Sequence, residues 1–250
     1  MWLVLSDAWD ASAAWAHAEL KARGLQPLEL ISADQLALSE FQEHRIEGDQ
    51  TTLRFRTEAG LQIDAARLSG VLNRLYTVPV THWRKAPKVD QDYVQQEMVA
   101  FFLSWLAALP CPVINRPTPQ GLCGQWRQES EWAWLAWQAG LPTAPYRQSC
   151  RDRVDEMKGE RRMVAPGALV RTVIVVGDQV VGTPVPQAVL AACLQLARLA
   201  STHLLGIDFV DGPAGAWTFA GASPTPDLRI GGVGFIDALV RDLTIQKAAA

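Results

Sequence analysis

The chain has 250 residues, 49% hydrophobic and 20% charged, with a formal net charge of −3. That length supports one large domain or two small ones with a sizeable core, and the composition is globular rather than disordered. The mildly acidic balance, with no basic stripe, excludes the electrostatic footprint of a nucleic-acid binder, and no apolar run is long enough to span a bilayer.

The opening MWLVLSDAWD lacks a basic n-region and reads as a first strand, so no signal peptide is expected. Cys111, Cys123, Cys150 and Cys193 lie apart without paired spacing. They read as reduced, structural thiols of a cytoplasmic protein. His17, His44, His82 and His203 show no ligand spacing either. The ten tryptophans read as packing residues, with a peptide- or base-stacking surface as the alternative.

Trp2–Ser6 reads as a strand, Asp10 or Ser12 as the cap of a helix running to about Arg23, and Gly24 as its stop. Pro27–Ile31 is a second strand, which makes a small β-α-β unit without a glycine-rich phosphate loop. Leu53-Arg54-Phe55-Arg56 alternates as a half-buried strand does. With His44–Glu47 and Leu61–Ile63 it predicts a meander turning at Gly48-Asp49 and Ala59-Gly60. Gly70–Leu75 is a further strand, with Asn73 and Arg74 near its end. Thr77–Asp90 reads as a loop and Asp90–Leu109 as a helix stopped by Pro110. Val113-Ile114 is a short strand left through Asn115-Arg116-Pro117, and Gln125–Ala139 is the next helix. Leu169–Asp178 reads as a strand, and Pro186–His203 as a helix.

The segment Leu204–Leu228 then predicts a hairpin. One strand is Leu204–Val210, the turn is Asp211-Gly212-Pro213, and the second strand is Ala216–Ala220, ended by Ser223-Pro224-Thr225-Pro226. Asp208 is expected opposite Gly221–Ser223. This hairpin resembles the last β-hairpin of ATP-grasp ligases of the RimK and glutathione-synthetase type. That family reads strand, Asp, turn, apolar strand, Glu-x-Asn, then a Pro three residues after the Asn. Asp208 and Pro226 match, whereas Gly221-Ala222-Ser223 stands where Glu-x-Asn would be. In the family the Asp, Glu and Asn oxygens hold magnesium against the ATP phosphates. Mg²⁺ wants hard, preferably anionic oxygens, which Gly221 and Ser223 do not provide.

Leu169–Asp178 is similar to the family's Arg-x-x-Val-Val-Gly strand, with Arg171 taken as its Arg. The Asn-x-Pro strand end and the phrase Gly140–Pro145 also resemble the family. Between them and Leu169 lies only Gln148–Ala168, a polar stretch with one strand candidate, Arg161–Ala165, and one lysine, Lys158. That leaves too little chain for the family's full small lobe, and Lys158 reads as a solvated side chain rather than a phosphate ligand. The basic loop that follows in the family is replaced by Thr183-Pro184-Val185-Pro186. Gly231-Gly232-Val233-Gly234 before the last helix reads as a flexible turn, with anion binding as the alternative.

The resemblance implies a mixed α/β fold. A small Rossmann-like N-terminal domain, 1–118, is followed by a reduced ATP-grasp-like domain with an antiparallel sheet, 119–250. The expected function is that of a degenerate, non-catalytic ATP-grasp relative that binds a peptide or protein substrate or a partner ligase, without cofactor. One alternative is an active ATP- and Mg-dependent carboxylate–amine ligase using Asp208, Asp211 or Asp227. Another is a structural subunit that has lost nucleotide. Asp208, as a metal remnant, Arg171 and Ser223 mark the nucleotide site, and Asn73, Arg74, Asn115 and Arg116 a possible substrate or partner surface. Cys123, between Gly121 and Gly124, has no histidine placed to activate it.

Overall fold

The computed structural model describes residues 1–80, 83–146, 169–211 and 217–249. The chain divides into two compact units, Met1–Gln125 with Leu239–Ala250, and Trp126–Ala238.

The first unit opens with β1 (Trp2–Ser6) and α1 (Ala11–Ala22). Asp10 caps the helix by accepting the Ala13 N–H at 2.9 Å, and Gly24, at φ +86°, turns the chain out of it. β2 (Leu28–Ser32) returns parallel to β1. An unexpected short helix, α2 (Ala33–Ala37), follows at once. Its start is a capping box: the Ser32 hydroxyl accepts the Gln35 N–H and the Gln35 side chain accepts the Ser32 N–H.

β3 (Phe41–Glu47), β4 (Gln50–Arg56) and β5 (Gln62–Asp64) form the expected antiparallel meander. β6 (Gly70–Arg74) then pairs parallel with β1. α3 begins earlier than expected and spans Lys88–Ala107, with Pro87 rather than an aspartate at its N-cap. Proline presets the backbone there and has no N–H to leave unsatisfied. β7 (Val113–Ile114) completes a parallel sheet of order β2-β1-β6-β7. Leu5, Val71, Phe102, Trp105, Leu106 and Leu109 share one core with Leu53, Phe55 and Ile63 from the meander. The alternation in β4 is therefore real burial: Leu53 is 3% and Phe55 2% exposed.

The second unit holds α4 (Glu129–Gln138), β8 (Val170–Val176), β9 (Gln179–Gly182), α5 (Gln187–Leu199), β10 (Leu204–Asp211) and β11 (Trp217–Ser223). Its sheet is antiparallel, of order β11-β10-β8-β9. One face buries Val173, Val175, Leu205, Ile207, Phe209 and Phe219 together with Trp132 and Ala136 of α4 and Cys193 and Leu196 of α5. Both helices are shorter than expected: α4 starts at a capping box of Gln128 and Glu131, and α5 stops where Ser201 takes φ +51°. Asp211 belongs to the end of β10 rather than to the turn. α6 (Gly232–Ala249) closes the chain. The mixed parallel and antiparallel architecture agrees with the expected fold class. Among the described residues, no helix is long and apolar enough to cross a membrane.

The other face of the antiparallel sheet is packed closely by the segment after β11. A Cβ added at Gly206 would stand 2.4 Å from Pro226 Cβ and 3.2 Å from its Cγ. A proline ring has no rotamer by which to yield, so Gly206→Ala is expected to lower the unfolding free energy by about 1–3 kcal/mol. The measurement is a urea titration, and an unchanged midpoint would show that the two segments do not touch.

Candidate functional site

The hairpin forms in the expected register. Asp208 on β10 stands opposite Gly221 on β11, and Gly206 opposite Ser223. A β-bulge after Asp208 shifts the register, so that Phe209 faces Phe219. On its other side β10 pairs with β8, which sets Asp208 against Thr172 and Phe209 against Arg171.

Successive residues of a strand point to opposite faces, so this register separates Asp208 from Arg171. Arg171 lies on the face of Phe209, with its guanidinium 5.0 Å from the Trp217 ring centre and 2.6 Å from Asp211 Oδ1. Asp208 lies on the other face, where the Thr172 hydroxyl donates to its Oδ1 at 2.6 Å. Arg171 and Asp208, both expected at the nucleotide site, therefore stand on opposite faces of the sheet. Counting Arg-x-x-Val-Val-Gly back from Val175-Val176-Gly177 lands on Thr172, one residue after Arg171. A slip of one residue on a strand moves a side chain to the wrong face.

The remaining hairpin positions add little charge. The Ser223 hydroxyl accepts the Thr225 N–H at 3.1 Å and lies 3.3 Å from the Thr225 hydroxyl, so it closes its own turn. Gly221 has no side chain, and a Cβ built there would meet nothing within 4 Å. Asp227 is bound by Arg229 through two contacts of 2.8 and 2.7 Å and accepts the Arg229 N–H. Asp208 and Asp211 project from opposite faces, and no group of three His, Cys, Asp or Glu converges among the described residues. Among the described residues, one half-buried carboxylate with the neutral Thr172 hydroxyl on it does not fit Mg²⁺ on a triphosphate, which needs about six oxygen ligands and charge neutralisation. The glycine cluster is a packing feature. A Cβ on Gly231 would stand 2.5 Å from Phe235 Cβ and 3.2 Å from Val181 Cγ2, and Gly232 takes φ +53°.

In the first unit, the four polar residues expected to form a surface have structural duties. Asn73 is fully buried, and its amide donates to the carbonyls of Asn115 at 2.9 Å and Leu122 at 2.7 Å. Asn115, 3% exposed, takes the left-handed conformation at φ 56°. Arg74 is 4% exposed, and its Nε donates to Asp10 Oδ2 at 2.7 Å. Arg116 folds back on the end of α3, donating to the carbonyls of Ala107, Leu109 and Cys111. Cations near a helix C-terminus satisfy its free carbonyls and oppose its dipole. Asn73 and Asn115, expected at a substrate or partner surface, are buried in this structure. Asp10, expected as a helix cap, is also the partner of Arg74, a pair that sequence does not announce because the two residues lie far apart along the chain. Nearby Asp7, raised above the ordinary carboxyl range by burial, accepts weakly from the Tyr76 and Thr77 N–H groups.

Cys123 is not an activated nucleophile. Its thiol donates to the Asn73 carbonyl at 3.0 Å, and burial pushes its pKa up to about 12. Burial raises Cys193 equally, to about 12, and Cys111 is also free, buried and raised. Native protein at about pH 8 should therefore leave these thiols unmodified by a colorimetric disulfide reagent, whereas urea should expose them. Rapid native reaction of Cys123, located by peptide mapping, would contradict this. Cys150, His82, Lys158, the Arg161–Ala165 strand, the Gln148–Ala168 deletion and the Gly212-Pro213 turn lie outside the described residues.

No protein-family model matches the chain, and no curated protein matches it. Solved structures do. The chain is similar to the macrocyclase MdnC bound with precursor peptide MdnA from Microcystis aeruginosa, with a TM-score of 0.75 and 12% identity over 98% of this chain and 99% of that one. It is similar to a Chryseobacterium gregarium RiPP-associated ATP-grasp ligase in complex with ADP and a leader and core peptide, with a TM-score of 0.66 and 13% identity over 99% and 94%. It is also similar to D-alanyl-alanine synthetase A from Vibrio cholerae, with a TM-score of 0.56 and 9% identity over 100% and 98%. At these identities the likeness carries the fold.

Proposed function

Since the chain has the ATP-grasp fold, we propose that it is a degenerate, non-catalytic member of that superfamily that binds a peptide or protein substrate, or a partner ligase, without nucleotide chemistry. The observation that carries the reading is the hairpin. Asp208 faces Gly221, its carboxylate takes the Thr172 hydroxyl, and Ser223 is spent on its own turn. Stabilising a transferring phosphoryl group takes cations and dipoles aimed at its oxygens, and the one hydrogen bond given for the Asp208 carboxylate comes from a neutral hydroxyl, that of Thr172. The peptide part is supported by similar structures that hold precursor, leader or core peptides.

The second reading, an active carboxylate–amine ligase, has the intact fold in its favour. It would draw its ligands from Asp208, Asp211 or Asp227. Arg171 holds Asp211 on the opposite sheet face, and Arg229 holds Asp227. The resemblance to the RimK type, the domain division at 118/119 and a cytoplasmic location, which the three free buried cysteines suit, belong to this proposal. The test is acceptor-dependent ADP formation, read beside co-purification with a candidate ligase. ADP that appears only with a peptide acceptor favours the second reading. Stable capture of a ligase without turnover favours the first.

A further inference from the structure

The meander carries a feature that the hairpin argument does not use. In β4, Leu53 and Phe55 point into the core, so Arg54 and Arg56 point out. The register sets Arg54 beside Asp64 and Arg56 beside Phe41. These four residues line a groove of about 630 Å³ with Pro27 and Arg67. Phe41 is 43% exposed. The groove lies toward the start of β2 and away from the strand ends where Asn73, Arg74 and Asn115 are buried.

The lining has three guanidiniums against one carboxylate. The opposing contacts are weak. Arg54 lies 3.8 Å from Glu43 and 4.0 Å from Asp64, and Arg56 lies 3.1 Å from Glu40, all between exposed or half-exposed side chains. Such pairs contribute about 0–1 kcal/mol each and exchange readily for carboxylates brought by a ligand. Among the described residues, Arg67 has no ion-pair partner. Guanidinium forks bind carboxylates through two parallel hydrogen bonds, and Phe41 and Pro27 add an apolar wall. Arg54 and Arg56 stand two residues apart on an extended strand, a spacing of about 7 Å. An extended peptide carries alternate side chains at the same interval.

We propose that this groove binds an extended acidic peptide whose carboxylates recur at every second residue, with an apolar side chain set against Phe41. The proposal goes beyond the reading above by naming the class of peptide and the surface that takes it. It is independent of whether turnover occurs. Acceptor-dependent ADP with intact acidic-peptide binding would overturn the non-catalytic reading and leave this one standing.

The experiment is fluorescence anisotropy with a labelled peptide of alternating glutamate containing one leucine, titrated with the full chain at low salt. Saturable binding is expected. It should weaken at least about tenfold in an Arg54→Glu, Arg56→Glu, Arg67→Glu variant and fade as salt is raised. Arg45→Glu, an exposed β3 change outside the groove, should leave it intact. Circular dichroism of the triple variant shows whether its meander is folded, and Arg67→Ala alone serves as the gentler variant. The proposal is overturned by no saturable binding, by equal binding to the variants, by equal binding of a peptide with its glutamates contiguous, or by an oligothymidylate that competes as well as the peptide.

Discussion

Asp10→Ala is expected to remove about 3–5 kcal/mol of unfolding free energy, the range for breaking a buried ion pair from one side. The Arg74 side chain is 4% exposed and that of Asp10 17%, with Nε and Oδ2 2.7 Å apart. Arg74 Nη1 already lacks a hydrogen-bond partner, so Asp10 supplies the compensation this guanidinium has. The same carboxylate caps α1 through the Ala13 N–H, and losing a cap alone costs about 1 kcal/mol. Asp10→Asn retains a cap oxygen and gives up the charge, so its loss should be smaller. Replacing both partners with leucine should recover much of the loss, because an apolar pair leaves no buried charge. Urea unfolding of the four proteins measures this. A loss under about 1 kcal/mol for Asp10→Ala would show that Arg74 is solvated in solution.

The second large effect is all-or-none. Restoring the family's residues with Gly221→Glu and Ser223→Asn is expected to give no turnover. Gly221 faces open space, so a longer side chain fits there without a clash. The obstacle is electrostatic. A new carboxylate opposite Asp208 would place two like charges across the hairpin, and like charges at that position destabilise a sheet. Arg171 does not reconcile them, because it is turned to Asp211 and Trp217 on the other face, and the neighbour of Asp208 on β8 is the neutral Thr172. Measurable acceptor-dependent turnover in the double variant would show that the hairpin alone decides activity.

Much of this fold was legible because apolar periodicity and turn chemistry agree along the chain. The meander came through because Gly48 and Gly60, at φ +60° and +79°, mark its turns and Leu53 alternates with Arg54. The hairpin came through because Gly206, Asp208, Gly221 and Ser223 fall into one register. Helix ends were less legible, because Pro87 rather than a side-chain cap starts α3, and Ser201 rather than a glycine ends α5.

The candidate site was legible only in part. Which face Arg171 takes depends on register, which no single residue announces. Asn73 and Asn115 look like site residues in sequence because polar side chains at strand ends often are. Their partners are backbone carbonyls and a neighbouring segment, which only the folded chain brings near. Arg56 and Arg67 lie eleven positions apart in sequence, and only the folded meander places them around one groove with Phe41.

The most direct test of the central claim is ADP formation by the full chain with magnesium, ATP and a peptide acceptor. No acceptor-dependent ADP above the protein-free blank is expected, and Asp208→Ala should be indistinguishable from the unmodified protein. Acceptor-dependent ADP that disappears in Asp208→Ala would contradict the account.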